Sequence, residues 1–122
     1  MAVGDITYSN LNAMSGEGAF ASGTLIVDAN AAATIICGFQ PSRIELILAD
    51  AGGTADSYDI WFLGMTAGTT MHMDNAGAIT FPTTLGPTVY AGTVAGNSEG
   101  FTIPADQTGA ADSDVIYWCA WR

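Results

Sequence analysis

The C-terminal segment, residues 114–122, carries the strongest pattern of apolar positions in the chain. It is built from β-branched and aromatic residues and contains no Gly or Pro, which favours a β-strand. Apolar residues occupy both alternating faces: Val115, Tyr117, Cys119 and Trp121 on one, Ile116, Trp118 and Ala120 on the other. Because a strand that is apolar on both faces is covered on both faces, we predict a central strand. Its own domain buries one face, and a different body buries the other.

Short apolar segments separated by turn residues follow one another from Gly23 onwards, a pattern typical of an all-β protein. Residues 58–63 are apolar on both faces like the last strand, whereas Ile44, Leu46 and Leu48 alternate with polar neighbours. We predict eight or nine strands, with the earlier ones over residues 24–27, 34–39, 43–48, 58–63, 69–73, 78–81, 88–94 and 99–103. The predicted fold is an all-β, two-sheet antiparallel sandwich with jelly-roll-like connectivity.

Residues 1–20 differ from the rest and predict an extended N-terminal arm, followed by a single β-sandwich domain over residues 21–122. Ile6, Tyr8 and Leu11 are spaced apolar residues in an otherwise polar stretch, and residues 15–19 are rich in Gly. Two interpretations stay open. The arm either docks onto a neighbouring molecule through these three side chains, or it is a frayed terminus.

The composition indicates a surface that is covered in an assembled state. Charged residues make up 11% of the chain and apolar residues 49%, whereas about a quarter of an ordinary soluble domain is charged. There is no Lys, and the only two Arg are Arg43 and Arg122. We therefore expect an obligate oligomer or part of a larger shell. A plain secreted domain rich in Gly, Ala and Thr is the alternative.

The charge of the chain argues against several classes of partner. The net charge of −10 without a basic cluster argues against nucleic acid and against an anionic membrane surface. No apolar run approaches the roughly 20 residues of a membrane helix, and no signal peptide is visible. We expect synthesis and assembly inside a cell. Cys37 and Cys119 are either buried free thiols or, if their strands meet, a disulfide.

The sequence offers little material for catalysis or metal binding. The single histidine, His72, lies between Met71 and Met73, but alternate residues of a strand point to opposite faces. A partly exposed edge histidine is therefore a better interpretation than a copper site. The acidic residues Asp56, Asp59, Asp106, Asp112 and Asp114 lack the spacing of a calcium loop. No nucleophile elbow or phosphate loop is present, so we expect no enzyme, no catalytic residues, no cofactor and no metal.

The three tryptophans carry the remaining functional signal. They lie in the two doubly apolar segments, at Trp61, Trp118 and Trp121. A large aromatic core explains some of them, an interface anchor fits the enrichment of Trp at binding hot spots, and an aromatic sugar platform is a third interpretation. The predicted protein-interface residues are Ile6, Tyr8, Leu11, Trp61, Trp118 and Trp121.

Three short motifs carry a resemblance to a known class of proteins. They are GFQPSRIEL at residues 38–46, GFTIP at residues 100–104 and VIYWCAW at residues 115–121. Together they resemble small structural β domains of tailed bacteriophages, most of all capsid decoration (cement) proteins. The likeness covers about residues 34–122 and extends to tail and fibre domains. It implies a β-sandwich or jelly roll, a homotrimer, and attachment to the capsid exterior where major capsid subunits meet.

The function expected from this resemblance is not enzymatic. We expect a virion protein that binds the outer capsid surface as an oligomer and stabilises the shell, with itself and the major capsid protein as partners. The alternative is a receptor- or glycan-binding domain of a phage tail fibre or spike.

Overall fold

The computed structural model describes residues 2–12, 19–92, 99–105 and 110–122; for residues 9–12 it describes the backbone only. This part of the chain is all-β and contains no helix. Its ten strands are β1 (Ile6–Asn12), β2 (Phe20–Ile26), β3 (Ala33–Ile36), β4 (Arg43–Ala49), β5 (Ala55–Phe62), β6 (Met71–Asp74), β7 (Ile79–Thr80), β8 (Thr88–Tyr90), β9 (Gly100–Ile103) and β10 (Val115–Trp121).

Strand β10 lies in the middle of a seven-stranded sheet with the order β1-β2-β10-β4-β5-β6-β7. It pairs antiparallel with β2 and β4 along its full length, and Trp118 stands opposite Gly23 on one side and Leu46 on the other. Both edges of the strand are therefore occupied by ladder hydrogen bonds. The prediction of a central C-terminal strand is confirmed.

A second, three-stranded antiparallel sheet with the order β3-β9-β8 covers one face of the large sheet. Ile116, Trp118 and Ala120 of β10 are buried against this small sheet, which contributes Ile35, Phe101 and Ile103 to the same core. The rings of Phe101 and Trp118 meet edge to face, with centroids 5.7 Å apart. Such a pair stabilises by about 0.5–1.5 kcal/mol beyond the burial of its area. The two antiparallel sheets form a sandwich-like body, as predicted.

The chain passes between the two sheets four times, from β2 to β3, β3 to β4, β7 to β8 and β9 to β10. The small sheet is thus assembled from one strand that precedes the middle of the chain and two that follow it. The core between the sheets is built from contacts between residues far apart in sequence.

Gly23 makes room for the largest buried side chain. A Cβ atom at this position would collide with the carbonyl oxygen of Thr7 and would lie 2.7 Å from Cζ2 of Trp118. Tyr8, on the other side of Gly23 in the register, contacts the Trp118 ring edge to face at 5.6 Å. Its hydroxyl accepts a hydrogen bond from the backbone N–H of Ile36 (3.1 Å). Tyr8 therefore ties the end of the large sheet to the small one.

Several strand boundaries differ from the sequence prediction. Residues 6–12, assigned to the arm, form β1, which pairs with β2 from Ile6↔Leu25 to Asn12↔Phe20. The strand predicted over residues 34–39 ends at Ile36, because Gly38 adopts a φ of 88° and its N–H donates to the carbonyl of Glu99. The strand predicted over residues 88–94 is described only to Tyr90. Residues 13–18 of the predicted arm lie outside the described residues.

We predict that Gly23→Ala destabilises the fold by about 1–3 kcal/mol, the usual cost of overpacking a core, because the added methyl group displaces Trp118 or β1. Urea unfolding followed by tryptophan fluorescence measures the change. Gly52→Ala is the control, since its Cβ would meet only the Asp50 side chain at 3.3 Å in an exposed loop. Equal stability of both variants would contradict the packing argument.

Candidate interaction surface

The face of the large sheet that points away from the small sheet, here called the outer face, carries large apolar side chains. Four of them are well exposed: Ile47 (44%), Phe62 (54%), Ile79 (59%) and Tyr117 (49%). The strand registers place further half-buried residues at outward positions between and beside them: Phe20, Tyr58, Ile60, Met71, Met73, Val115, Cys119 and Trp121. No described residue covers this face. Contiguous exposed apolar surface of this kind marks an interaction site.

Ile47 lies at the centre of the outer face. It stands opposite Tyr117 of β10 on one side and Tyr58 of β5 on the other. Shallow grooves of about 370 Å³ and 310 Å³ flank it on the two sides. A partner with protruding apolar side chains could therefore contact Ile47 and insert side chains into the two grooves beside it.

The charges at the centre of the outer face compensate one another. Along β2, β4 and β10 the only charged outward residues are Arg43 and Glu45, which form an ion pair at 3.0 Å. The Tyr58 hydroxyl donates to Glu45 at 2.6 Å, and the Arg43 guanidinium lies over the Trp121 ring at 5.5 Å. Both charged groups are thus satisfied inside the chain, and this part of the face is close to neutral although the whole chain carries −10.

The predicted interface residues are distributed over different environments. Trp61 and Trp118 are only 3% and 1% exposed and belong to the core. Ile6 is half-buried and packs against that core. Tyr8 is 40% exposed but contacts Trp118. Leu11 pairs with Ala21 through β1, and its side chain lies outside the described part.

Among the predicted interface residues whose side chains the structure describes, only Trp121 lies on the outer face. It is half-buried and touches Phe20, with ring centroids 5.6 Å apart. The four exposed residues of the face were not singled out from the sequence. Ile47 gave a signal, since it is an apolar residue at an outward position of a strand whose Ile44, Leu46 and Leu48 point inward.

A buried acid–imidazole pair lies on the inner face of β5 and β6. The Nδ1 atom of His72 is 2.8 Å from Oδ1 of Asp59, and their side chains are 15% and 2% exposed. His72 was predicted to be a partly exposed histidine at a sheet edge. It is partly exposed, but the edge position was wrong, because β7 pairs beyond β6 with Thr80 opposite His72. Met71 and Met73 point to the other face, as the alternation predicted.

Asp56 lies within β5, and two other acids of the candidate clusters accept hydrogen bonds from backbone N–H groups in loops. Asp112 accepts from the backbone N–H of Ala29 at 2.7 Å, and Asp114 accepts from that of Ala111 at 2.9 Å. Asp106 lies outside the described residues. Within the described ranges no group of three or more His, Cys, Asp or Glu side chains is arranged to hold a metal ion.

Both cysteines are free thiols, which resolves the alternative left open by the sequence. Cys37 is fully buried and its Sγ lies 3.3 Å from the carbonyl of Phe39. Burial raises the pKa of Cys37 and also that of Cys119. Since the thiolate is the reactive form, neither is set up as a nucleophile.

Fold and surface together define a sandwich-like β protein with an uncovered apolar sheet face. No protein-family model, curated protein or solved structure matches the chain. Across the parts of the chain described here there is no helix long and apolar enough to cross a membrane.

We predict that Tyr58 titrates later than an ordinary tyrosine. Desolvation, followed by the hydrogen bond to Glu45, raises the pKa of Tyr58 from 10.0 to about 12. Because the folded-state pKa is the higher one, this contribution to stability is complete below pH 10 and is lost as the pH rises towards 12. Absorbance titration at alkaline pH, compared with Tyr58→Phe, identifies the late group. Glu45→Gln should lower the Tyr58 pKa only partly, and an ordinary pKa in the wild type would contradict the assignment.

We predict that His72→Ala lowers the free energy of unfolding by about 1.5–3 kcal/mol, the range for a lost hydrogen bond to a charged group, because the buried Asp59 carboxylate loses its imidazole neighbour. His72→Gln, which retains a donor, should lose less. Urea unfolding of both single variants, Asp59→Ala and the double variant gives the coupling between the two residues. Additive effects would show that the contact contributes no stability.

Proposed function

We propose that the protein is a non-enzymatic structural protein that works as an oligomer, with the outer face buried against neighbouring subunits. The observation that carries this proposal is the exposed apolar band over Ile47, Phe62, Ile79 and Tyr117. A face of this composition is stabilised when water is removed from it. The internal pairing of Arg43 with Glu45 leaves the centre of the face without a free charge that a partner must neutralise.

We further propose that the oligomer is a homotrimeric capsid decoration protein of a tailed bacteriophage, located on the capsid exterior and bound to the major capsid protein. The support is the resemblance of its three motifs, which the fold brings together. The first motif runs into β4, the third forms β10 beside it, and the second begins with β9. Phe101 of the second motif contacts Trp118 of the third.

The physical action of such a protein is thermodynamic. A ligand that binds only the assembled shell stabilises it by mass action, by about 2.7 kcal/mol per site at a free concentration of one hundred times Kd. Repeated over the many sites of a shell, a modest affinity is sufficient. No reacting group is required for this action.

The finer features of the predicted fold belong to the same proposal. Jelly-roll-like connectivity is supported by the four passages between sheets. Strand β1, which falls within the predicted arm over residues 1–20, lies at the end of the large sheet, where one edge pairs with β2 and the other meets no described strand. Such an edge accepts a strand from a neighbour.

The positions of the tryptophans give little support to the alternative that the protein binds glycans. An aromatic sugar platform needs an accessible ring face, whereas Trp61 and Trp118 are buried. Trp121 is half-buried, and Arg43 lies over its ring.

We predict that the wild-type protein is an oligomer at micromolar concentration and that Ile47→Lys reduces its mass to that of a single chain. The lysine places a charge at the centre of the apolar face, and burying it without a partner is costly. Val3→Lys is the matched control, because Val3 is 43% exposed and Ile47 44% but Val3 precedes β1 outside the outer face. Size-exclusion chromatography with light scattering measures mass, and thermal unfolding checks that both variants fold.

A wild-type monomer at high concentration, or an Ile47→Lys variant of unchanged mass, would contradict the self-association proposal. The virion assignment has its own readout in electron microscopy of particles of the encoding phage, labelled with an antibody to this chain. Hundreds of copies on the capsid exterior support a decoration protein. Tens of copies confined to the tail would support the fibre alternative instead.

A further inference from the structure

Strand β7 lies at the end of the large sheet opposite β1. Within the described part of the chain it pairs only with β6, and all residues around it from 63 to 92 are described. Every residue from 75 to 81 is exposed, and Ile79 (59%) and Phe81 (64%) are among the most exposed large apolar side chains. The β6–β7 hairpin therefore presents an apolar edge to solvent.

The hydrogen bonds between the two strands of this hairpin show which backbone groups face into the sheet. The N–H of Asp74 donates to the carbonyl of Ala78 at 3.1 Å, and the N–H of Thr70 donates to the carbonyl of Pro82 at 3.2 Å. Hydrogen-bonded and non-hydrogen-bonded pairs alternate along an antiparallel ladder. Thr80 lies midway between Ala78 and Pro82, so its backbone groups also face β6.

The residues between these positions have their backbone groups on the free edge. The N–H and C=O groups of Ile79 and Phe81 point away from β6, to a side where the described chain provides no strand. Donors and acceptors on two residues spaced two apart form the pattern that an added antiparallel strand completes. Pro82 does not block this edge, because its nitrogen faces β6, as does its carbonyl.

The edge carries no charge that would keep another strand away. Charged side chains are a common protection of sheet edges, but residues 75–82 contain none. The preceding acid, Asp74, accepts hydrogen bonds at Oδ1 from the N–H groups of Ala76 and Ala78 at 2.9 and 3.0 Å and so closes the turn. Two chains that each carry a net charge of −10 approach most easily where both are neutral.

We propose that β7 pairs with β7 of a second copy of this chain, antiparallel and about a two-fold axis beside Thr80. Ile79 of each copy then stands opposite Phe81 of the other, and each of these pairs exchanges both of its N–H···O bonds. Every free donor of one edge meets a free acceptor of the other. The edge is thus self-complementary, as a two-fold contact requires.

The side chains fit the same register. Ile79 stands opposite the outward residue Met73, so Ile79 and Phe81 point to the outer face and form apolar cross-strand pairs. Thr80 meets Thr80 of the second copy on the inner side, and Thr–Thr pairs of this kind are favourable. The apolar outer face of one copy continues into that of the other. This continuity favours a second copy over a segment of a different protein.

The contact is short, so we expect pairing at millimolar rather than micromolar concentration. It goes beyond the oligomer proposed above, because it uses a sheet edge and leaves the outer face free. In an assembly that already holds copies close together, effective concentrations reach the millimolar range. The contact then adds to the cohesion of the assembly.

Disulfide trapping tests the pairing. In the proposed register the two Thr80 Cα atoms are about 4.5 Å apart, within the range of a disulfide. Thr80→Cys is made together with Ile47→Lys and Cys119→Ser, which remove the outer-face contact and the half-buried native thiol. With oxidised glutathione at millimolar protein, we expect a linked dimer about tenfold faster than with Ala76→Cys in the same background, since pairing holds the thiols together. Ala76 is likewise exposed on the hairpin but lies away from the axis.

A third substitution tests the backbone hydrogen bonds. Phe81→Pro removes an edge N–H that does not face β6, and it should slow trapping through Thr80→Cys to the rate of Ala76→Cys. Phe81→Leu keeps the N–H and an apolar side chain and should preserve fast trapping. Thermal unfolding checks that each variant folds. Without any added cysteine, ¹H–¹⁵N NMR of Ile47→Lys should show the amide signals of Ile79 and Phe81 moving downfield from micromolar to millimolar concentration.

Equal trapping rates for Thr80→Cys and Ala76→Cys overturn the proposal, as does fast trapping in a folded Phe81→Pro variant. Amide signals of Ile79 and Phe81 that do not depend on concentration overturn it as well. Since these measurements use the Ile47→Lys background, their outcome is separate from the mass measurement on the outer face. A wild-type protein that is monomeric at micromolar concentration would contradict the outer-face proposal and leave the β7 pairing to these tests.

Discussion

The pairing of β10 between β2 and β4 is the constraint on which the rest of the structure depends. It joins the end of the chain to two strands from its first half, so the large sheet is complete only when β10 is in place. Trp118 then enters the space beside Gly23 and contacts Phe101 of the small sheet. A single indole thus fixes strand pairing, sheet packing and, through Tyr8, the position of β1.

Side chains alternate between the two faces of a strand, so the residues next to Trp118 in β10 point to the outer face. A sheet of seven strands is covered by one of three strands on one face only. Full burial of a large apolar side chain contributes about 1.5–3 kcal/mol, so four half-exposed ones supply roughly 4 kcal/mol. Association costs about 4–15 kcal/mol. The four exposed residues of one subunit thus reach only the low end of that cost, and the half-buried aromatic and methionine side chains of the outer face add to the gain.

Local sequence patterns correctly predicted those features of the fold that are determined within a single strand. The doubly apolar segments became β10 and β5, and the antiparallel two-sheet arrangement followed from short strands and turns. Strand β1 was missed because its polar Ser, Asn and Thr residues show no clear alternation; only its pairing with β2 makes it a strand. The contact between Asp59 and His72 depends on the register of β5 against β6. No spacing along the sequence encodes that register.

Strand β5 borders both the core and the outer face. Trp61 points inward and belongs to the core, whereas the next residue, Phe62, is 54% exposed on the outer face. Successive residues of a strand point to opposite faces, so a strand apolar at both positions serves two surfaces at once. This explains the doubly apolar pattern without requiring one partner to cover everything. A neutral apolar face suits subunits of the same kind.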